Sequence, residues 1–356
     1  MTEKTNPRVL MIGPSLDSRG GMATVEKQLT EHLPDMGVQV KFISTYNDCG
    51  KLGKLSIALA AYLQFCVALN NVDIVHVHMA SRGSYRRKRV FISAASHKGI
   101  PIVLHLHAAE FALWFDGECS EKEKRDIRNT FNRCAKIVVL SEEWKDFLIS
   151  RDVCSPERIA VVHNAVNLPS KNMTDYSCNA VLFMGRLDTR KSPDVLLRAA
   201  ARLLPRHPQA QFVFGGDGDV AAYEQLAREL GILDHCSFVG WVKAEDKEDT
   251  FHRCSIYCLP SKNEGMPMSV LEAMSYGLAT VSTPVGGIPQ VISDGVDGFL
   301  FPIDDVIALS RKLDQLMSDR DLKERIGKKG RSRIEDEFSL EGFLFQIRLV
   351  YGEICR

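Results

Sequence analysis

The sequence has no excess of charge of either sign. Its 45 basic residues are balanced by 45 acidic ones, so the formal net charge at pH 7 is +0. Proteins that hold nucleic acids by bulk charge are usually basic, because they must neutralise phosphates. The composition therefore predicts no nucleic-acid partner, although a local basic patch is still compatible with it.

Paired cysteines are missing as well. The chain has ten cysteines but no CxxC pair, and the closest two, Cys254 and Cys258, lie four positions apart beside an apolar stretch. A zinc ribbon needs closely spaced pairs, so core packing is the preferred interpretation of these thiols. Scattered cysteines favour a reducing compartment.

No apolar run is long enough to span a bilayer. The longest, Leu55–Leu69, has about 15 residues and contains Ser56 and Gln64, whereas a spanning helix needs about 20. The N-terminal segment has only a short apolar run and no small-residue cleavage site, which predicts no signal peptide. We expect a cytoplasmic protein, soluble or peripherally bound to a membrane.

Short β-branched runs alternate with longer amphipathic stretches, which is the pattern of parallel α/β sheets. A segment rich in Asn, Pro, Ser, Lys and Asp interrupts the alternation at 166–178. We therefore predict two Rossmann-like domains, at 1–165 and 179–337, followed by an amphipathic helix within 338–356. Ligands bind at the carboxyl ends of parallel strands, so the domains are expected to face each other across a cleft that holds the active site.

The segment SKNEGMPMSVLEAMSYG at 261–277 resembles an anion site. Pro267 suits the first turn of a helix that stops at Gly277, and the free N–H groups and dipole of that helix suit a diphosphate. Glu264, in the loop before it, can reach a sugar hydroxyl, and Glu272, on the helix, can reach a ribose. The alternative is a loop and a surface helix with two unrelated glutamates. The remaining residues predicted to bind this ligand are Gly265, Met266, Met268, Ser269 and Val270.

Two further segments are glycine-rich or cationic and follow predicted strands. Arg186 and Lys191 lie between a strand and a helix and can stabilise the charge of a leaving diphosphate, unless they are solvated loop cations. Gly20 and Gly21 allow close backbone approach to a phosphate or sugar, or form a simple turn. The GGDGD segment at 215–219 could by itself suggest a metal-binding pair of aspartates.

Two predicted strands end in HxH, at His76/His78 and His105/His107. Four histidines at neighbouring strand ends could hold a metal ion. No convincing Asp or Glu ligand set follows them, although Glu110 is near. His105 is expected to pack behind His107, and His78 to line the acceptor side of the site.

A basic run covers Arg82, Arg86, Arg87, Lys88 and Arg89. On a helix these cations form a positive surface. That surface is either a solvated helix face or a site for anionic lipid headgroups, to which the apolar 57–69 helix could add interfacial contact.

The residues at 261–272, together with 279–287 and 294–300, resemble the E-x7-E region of the GT4 family of retaining glycosyltransferases, and the resemblance covers nearly the whole chain. It implies the GT-B fold, with an N-terminal acceptor domain, a C-terminal donor domain and a last helix that crosses back to the first domain. It also implies that no metal or other cofactor is required.

The resemblance assigns roles residue by residue. Glu264 would contact the donor sugar, Glu272 the ribose, and Arg186 and Lys191 the donor diphosphate. His107 would lie beside the transferred sugar, although Ala108 stands where the family more often has Gly or Asp. The glycine-rich loop at 20–21 would lie near the donor phosphates and the acceptor.

The predicted reaction is hexosyl transfer, with retention, from a UDP- or GDP-sugar to a saccharide acceptor, including one linked to polyprenyl diphosphate. Family prevalence and the basic helix suggest bacterial surface polysaccharide assembly at the cytoplasmic face of the inner membrane. The alternatives are a GT-B sugar-nucleotide epimerase, a metal-dependent hydrolase built on the HxH pairs, and a non-catalytic sugar-nucleotide binding protein.

Overall fold

A computed structural model of the chain describes residues 6–45, 51–107, 109–169 and 174–355. The chain divides into two units, each with its own core. The first consists of the described residues of Met1–Asn164 and Leu340–Arg356, and the second of the described residues of Ala165–Ser339. Positions 170–173 of the predicted linker lie outside the described residues, and so does Ala108.

The first unit is built on a six-stranded parallel sheet with the order β2-β1-β3-β4-β5-β6. Its strands are β1 Arg8–Gly13, β2 Gln39–Ser44, β3 Ile74–Met79, β4 Ile102–Leu106, β5 Lys136–Val139 and β6 Ile159–Val161. Its helices before the second unit are α1 Gly21–His32, α2 Lys51–Ala68, α3 Gly83–His97, α4 Phe111–Gly117, α5 Glu121–Phe131 and α6 Glu142–Ser150. The strand order reverses between β1 and β3.

The second unit repeats this architecture with the order β12-β11-β10-β7-β8-β9. Its strands are β7 Ala180–Met184, β8 Gln211–Gly215, β9 Cys236–Gly240, β10 Ile256–Leu259, β11 Ala279–Ser282 and β12 Phe299–Leu300. Its helices are α7 Pro193–Leu203, α8 Val220–Glu229, α9 Ala244–His252, α10 Met268–Ser275, α11 Ile288–Val291, α12 Val306–Ser318 and α13 Arg320–Glu337. The last helix, α14 Leu340–Ile354, packs with the first unit.

The two predicted Rossmann-like halves are confirmed. Central strands such as β4 and β7 are buried along their whole length, because helices cover both faces of a parallel sheet and continuous apolar runs are then required. Helix α4 gives no clear periodic signal in the sequence, because it is only seven residues long. It buries Phe111, Trp114 and Phe115 in the core of the first unit.

Each sheet has one point where the strand order reverses, and loops on both sides of that point diverge to leave a crevice. In the second unit it lies between β7 and β10, so the crevice is bordered by the segments after Met184 and after Leu259. In the first unit it lies between β1 and β3. Both points carry buried polar side chains.

Candidate active site

The reversal point of the second sheet brings Lys191 and Glu264 into direct contact. Lys191 Nζ donates to Glu264 Oε1 over 2.5 Å, and Ser261 Oγ donates to the same oxygen over 2.7 Å. Arg190 Nη1 lies 3.4 Å from that oxygen. We call these four residues the Glu264 cluster. Two segments far apart in sequence therefore form one charged centre at the carboxyl ends of β7 and β10.

Burial strengthens the electrostatic interactions within the Glu264 cluster. The Glu264 side chain is only 6% exposed and that of Lys191 11%. Burial alone would raise the pKa of Glu264, but the charges of Lys191 and Arg190 and the hydrogen bonds from Lys191 and Ser261 outweigh it, so the pKa lies below its ordinary value. Glu264 is thus an ionised acceptor at neutral pH, suited to the hydroxyl groups of a sugar.

Backbone contacts fix the loop that carries Glu264. Lys262 N donates to Arg190 O over 2.8 Å, and Arg190 Nη1 donates to Asn263 O over 2.9 Å. On the other side, Gly286 has a φ of +57°, and a Cβ there would lie 2.0 Å from Glu264 O. Only glycine combines this left-handed backbone with such close approach.

Helix α10 begins one residue later than predicted. Pro267 is its N-cap, with extended backbone, and the helix ends before Gly277, whose φ is +81°. The amides of Met268 and Ser269 belong to the first turn and have no intrahelical acceptor. The expectation of a free amide at Val270 is wrong, because Val270 N donates to Pro267 O over 3.1 Å.

Glu272, on α10, is paired with a lysine that the sequence analysis did not single out. Lys247 Nζ donates to Glu272 Oε1 over 2.6 Å, and the side chains are 30% and 16% exposed. Lys247 lies on α9, in a run of charged residues that gives no sequence signal for this role. The pair leaves Glu272 Oε2 as an acceptor near the surface.

Arg186 stands apart from the Glu264 cluster. Its side chain is 63% exposed and lies beside Asp188, with 3.7 Å between Nε and Oδ2. Arg190, which was not among the predicted site residues, lies beside Glu264. The left-handed backbone of Ser192 (φ +50°) turns the chain between Lys191 and α7.

The GGDGD segment has a structural role in this loop. A Cβ at Gly216 would lie 1.8 Å from Gly185 O, and one at Gly218 would lie 2.3 Å from Leu187 O. Asp219 is the N-cap of α8 and accepts from Ala222 N. The glycines therefore allow the segment after β8 to pack against the segment that leads to Lys191. The Asp219 carboxylate caps the N-terminus of α8.

Four histidines lie together at the carboxyl ends of β3 and β4 in the first unit, and we call them the histidine cluster: His76, His78, His105 and His107. His78 Nδ1 and His107 Nε2 are 2.9 Å apart. The first three are fully buried, whereas His107 is partly exposed. Burial lowers the pKa of His107 to about 3 and that of the other three well below the ordinary value, so the rings are neutral at pH 7.

Three more residues complete this buried polar centre. His76 Nδ1 lies 2.6 Å from the Tyr351 hydroxyl, which α14 supplies. Glu26, on α1, is fully buried, and its Oε1 lies 4.0 Å from His78 Nδ1. Burial raises the pKa of Glu26 to about 8, although Lys88 acts against this, and burial lowers the pKa of Lys88 to about 7. None of the three was assigned this position from the sequence.

Comparisons with known proteins identify the family of this chain. The profile "Glycosyltransferase Family 4" matches residues 19–169, and the profile "Glycosyl transferases group 1" matches residues 170–333. The chain belongs to the GT4 glycosyltransferases. The resemblance deduced from the 261–272 segment is therefore confirmed.

Curated relatives include D-inositol 3-phosphate glycosyltransferases. That of Streptomyces scabiei is 30% identical over 282 residues, which cover 72% of this chain and 62% of the relative. That of Kribbella flavida is 24% identical over 371 residues, covering 88% of this chain and 86% of the relative. The chain thus matches less than two thirds of the Streptomyces scabiei protein.

Solved structures show the same fold. Sucrose-phosphate synthase from Thermosynechococcus elongatus has a TM-score of 0.82 at 18% identity, with 98% of this chain and 99% of that chain covered. Anabaena HepE, solved with UDP and glucose, has a TM-score of 0.77 at 18% identity, with 98% and 100% covered. These are two-domain GT-B structures, so the predicted fold class of this GT4 chain is confirmed.

The glycine pair of this GT4 chain lies at the start of α1. Gly20 is the N-cap, with a φ of +126°, and Gly21 is the first helical residue. The backbone at Gly20 is one that other residues rarely adopt, and it exposes the first amides of α1.

The histidine cluster is poorly arranged for a metal ion. The nitrogens of His76, His78 and His105 lie within 4.8 Å of one another. However, the His76 ring stacks on that of His78 at 4.4 Å and 19°, and the His76 and His105 planes are 15° apart. A metal must lie in the plane of each ring at about 2.0–2.1 Å from nitrogen, and stacked parallel rings do not share such a point. The described part of the chain therefore gives the hydrolase alternative no support.

His78 was predicted to line the acceptor side of the site, but its side chain is fully buried, so it offers no surface to an acceptor in this structure. The predicted position of His105 is consistent with the structure, since its ring lies behind that of His107 at a centroid distance of 4.1 Å.

The basic run is not an open positive surface. Arg82 pairs with Glu110 and Glu118. Arg86 pairs with Glu123, and Arg89 with Asp126. Lys88 is 1% exposed, so its place in a membrane patch is wrong: it lies on the buried face of α3. Among the described residues, no helix is long and apolar enough to cross a membrane.

Proposed function

We propose that this GT4 chain is a retaining hexosyltransferase that uses a UDP- or GDP-sugar and a saccharide acceptor carried on a lipid diphosphate, in bacterial surface polysaccharide assembly. The observation that carries the proposal is the Glu264 cluster, an ionised carboxylate held by two cations at the reversal point of a parallel sheet. A donor sugar with a diphosphate needs both kinds of group within a few ångströms of each other.

The hexose, the diphosphate and the ribose of the sugar nucleotide each have suitable binding groups in the second unit. The Glu264 carboxylate accepts from hydroxyl groups of the hexose. The amides of Met268 and Ser269, at the positive end of α10, face the diphosphate. Glu272, held by Lys247, accepts from the ribose hydroxyls on the far side of that diphosphate.

The chemistry is electrostatic stabilisation of a departing diphosphate. The bond from sugar C1 to the diphosphate oxygen breaks while the bond from C1 to the acceptor oxygen forms on the same face, and the acceptor proton passes to an oxygen of the departing phosphate. Lys191 and Arg186 stabilise the negative charge that accumulates on that phosphate. Lys191 is preorganised by its contact with Glu264, whereas Arg186 is exposed and must move onto the ligand.

Two observations bear on the substrates. The Anabaena HepE structures contain UDP, glucose and UDP-glucose, which supports UDP as the nucleotide of the donor. The D-inositol 3-phosphate glycosyltransferase relatives favour a second candidate acceptor, an inositol phosphate. Both acceptors are anionic alcohols, so one donor site serves either reaction.

The membrane contact of this proposal is better placed on α2 than on the basic helix. Leu59, Leu63 and Val67 repeat every four residues along one helix face and are 61%, 60% and 72% exposed. An exposed apolar stripe of this kind can enter the lipid interface, where a polyprenyl-linked acceptor is found.

The test begins with donor binding. Thermal shift with UDP-, GDP- and ADP-sugars should show stabilisation by a UDP- or GDP-sugar, and the Glu264→Gln variant should lose it. Glu245→Gln, at a 74% exposed carboxylate of the same unit, should keep it. Absence of stabilisation by all three donors would refute the proposal.

Transfer is then measured with a polyprenyl-diphosphate saccharide in anionic vesicles and with inositol 3-phosphate. Proton NMR of the product should show the anomeric configuration of the donor. Epimerisation of the donor without any acceptor would instead identify an epimerase, and binding without turnover a sensor. Co-sedimentation with the vesicles is expected, and its absence would remove the membrane from the proposal.

A further inference from the structure

His78 Nδ1 and His107 Nε2 lie 2.9 Å apart and form a hydrogen bond in which one ring donates a proton and the other accepts it. Both rings are neutral, so each carries a single N–H. If His78 donates from Nδ1, then His107 accepts at Nε2 and must carry its own proton on Nδ1. If His107 donates from Nε2, its Nδ1 is a bare acceptor. The two cases give His107 opposite hydrogen-bonding character at its other nitrogen.

The surroundings of His78 distinguish the two cases. Its second nitrogen, Nε2, is buried and has no hydrogen-bond partner among the described residues. A proton placed there would be a buried donor without an acceptor, which is energetically unfavourable. A bare acceptor lacking a partner is the better tolerated defect. The proton of His78 is therefore more stable on Nδ1, where His107 accepts it.

The position of Glu26 acts in the same direction. Its Oε1 lies 4.0 Å from His78 Nδ1, and the partial negative charge on a carboxyl oxygen, which persists when the group is protonated, stabilises a proton on the nearer nitrogen. The space for this carboxyl group exists because residue 13 is glycine: a Cβ there would lie 2.0 Å from Glu26 Oε1. The buried carboxyl group is thus held next to the ring atom that donates.

We propose that His78, supported by Glu26, is a positioning residue that fixes His107 as its Nδ1–H tautomer. His107 Nδ1 has no hydrogen-bond partner among the described residues, and the His107 side chain is partly exposed. His107 therefore meets its ligand as a hydrogen-bond donor and does not serve as a base at that nitrogen. That this ligand is the donor sugar rests on the proposed function, whereas the tautomer does not.

The tautomer can be read directly from the nitrogen-15 NMR spectrum of the full chain with labelled histidine. The ten histidines are resolved by long-range proton–nitrogen correlations, and the His107 signals are assigned by their loss in His107→Gln. We expect a protonated-type shift for His107 Nδ1 and an unprotonated-type shift for Nε2, without any ligand.

Two substitutions of His78 separate positioning from packing. His78→Asn keeps an N–H donor near the place of Nδ1 and should preserve both the tautomer and most of the turnover. His78→Phe fills the space without a donor; the His107 tautomer should change, and kcat should fall by about 10- to 100-fold, as for other residues that orient a histidine, with little change in KM. His97→Asn, at an exposed histidine of the same unit, should change neither.

A wild-type spectrum with the His107 proton on Nε2 would overturn the proposal, as would an unchanged tautomer in His78→Phe. If His78→Phe does not fold, the wild-type and His78→Asn spectra still decide. A protein that shows the expected tautomer but binds no sugar nucleotide would refute the proposed function and leave this inference intact. Perturbed resonances on addition of zinc would indicate that the cluster binds metal and would also overturn it.

Discussion

Replacement of Lys191 by methionine should destabilise the second unit by about 3 kcal/mol. The side chains of Lys191 and Glu264 are 11% and 6% exposed, with 2.5 Å between Nζ and Oε1. Breaking a buried ion pair from one side costs about 3–5 kcal/mol, because the other charge stays buried. Ser261 and Arg190 remain as partners of Glu264, which places the cost near the lower limit.

Hydrogen exchange is the appropriate assay, because the chain has two units and global unfolding would mix them. Amides of β7 and β10 should exchange about 100-fold faster in Lys191→Met, the equivalent of about 3 kcal/mol. Lys262→Met is the matched control. Its contact with Asp304 has a similar length, 2.8 Å, but the side chains are 45% and 52% exposed, and such surface pairs contribute about 0–1 kcal/mol.

A double-mutant cycle with Glu264→Gln tests the assignment to this pair. Coupling of about 1–3 kcal/mol is expected for residues in direct contact, because the second substitution removes the charge that the first left unpaired. Additive effects, or an equal loss in Lys262→Met, would refute the reasoning from burial.

The same pair predicts a pH dependence with a definite sign. The pKa of Glu264 is lowered from its ordinary value of 4.5, so its stabilisation is fully present above pH 4.5 and is lost as the pH falls through the folded-state pKa. Lys191→Met raises that folded-state pKa. The variant should therefore lose less stability than the wild type as the pH is lowered from 5.

Two further substitutions test the neighbouring parts of the site. Gly286→Ala should abolish donor-dependent thermal stabilisation, because its Cβ would lie 2.0 Å from Glu264 O. Gly295→Ala is the control: it also has a positive φ, +77°, but open space around the new Cβ, so it should suffer only backbone strain. Equal effects of the two substitutions would show that the clash is unimportant. Lys247→Met should raise KM for the sugar nucleotide several-fold with little change in kcat, because its contact with Glu272 orients a ribose acceptor and touches no reacting atom. A fall in kcat alone would contradict that assignment.

The sequence was sufficient for the fold because the signal for each element is local. β4 and β7 are buried along their whole length, and a continuous apolar run between polar loops has few alternatives in a parallel sheet. Helix ends set by glycine, such as that at Gly277, were also predictable, because the left-handed backbone selects that residue.

Partners across the sheet could not be predicted in the same way. Sequence spacing predicted the same ligand for Arg186 and Lys191. Of these two, Lys191 contacts Glu264 and Arg186 does not, whereas Arg190 lies beside Glu264. The choice depends on the path of the loop before α7, which includes the left-handed backbone of Ser192. Nothing in the order of residues identifies a serine that adopts this backbone.

The burial of Lys88 is a different case, because its signal was present in the sequence. In a run of four cations, Lys88 alone lies at helical spacing from Tyr85, Ile92 and Ala95, all on the buried face of α3. Glu26 lies likewise among buried residues of α1. Burial of an ionisable group on a core-facing helix face is costly, and it shifts the pKa of each group towards its neutral form. Periodicity applied to charged residues as well as apolar ones would therefore have predicted that Lys88 and Glu26 are both buried in the first unit.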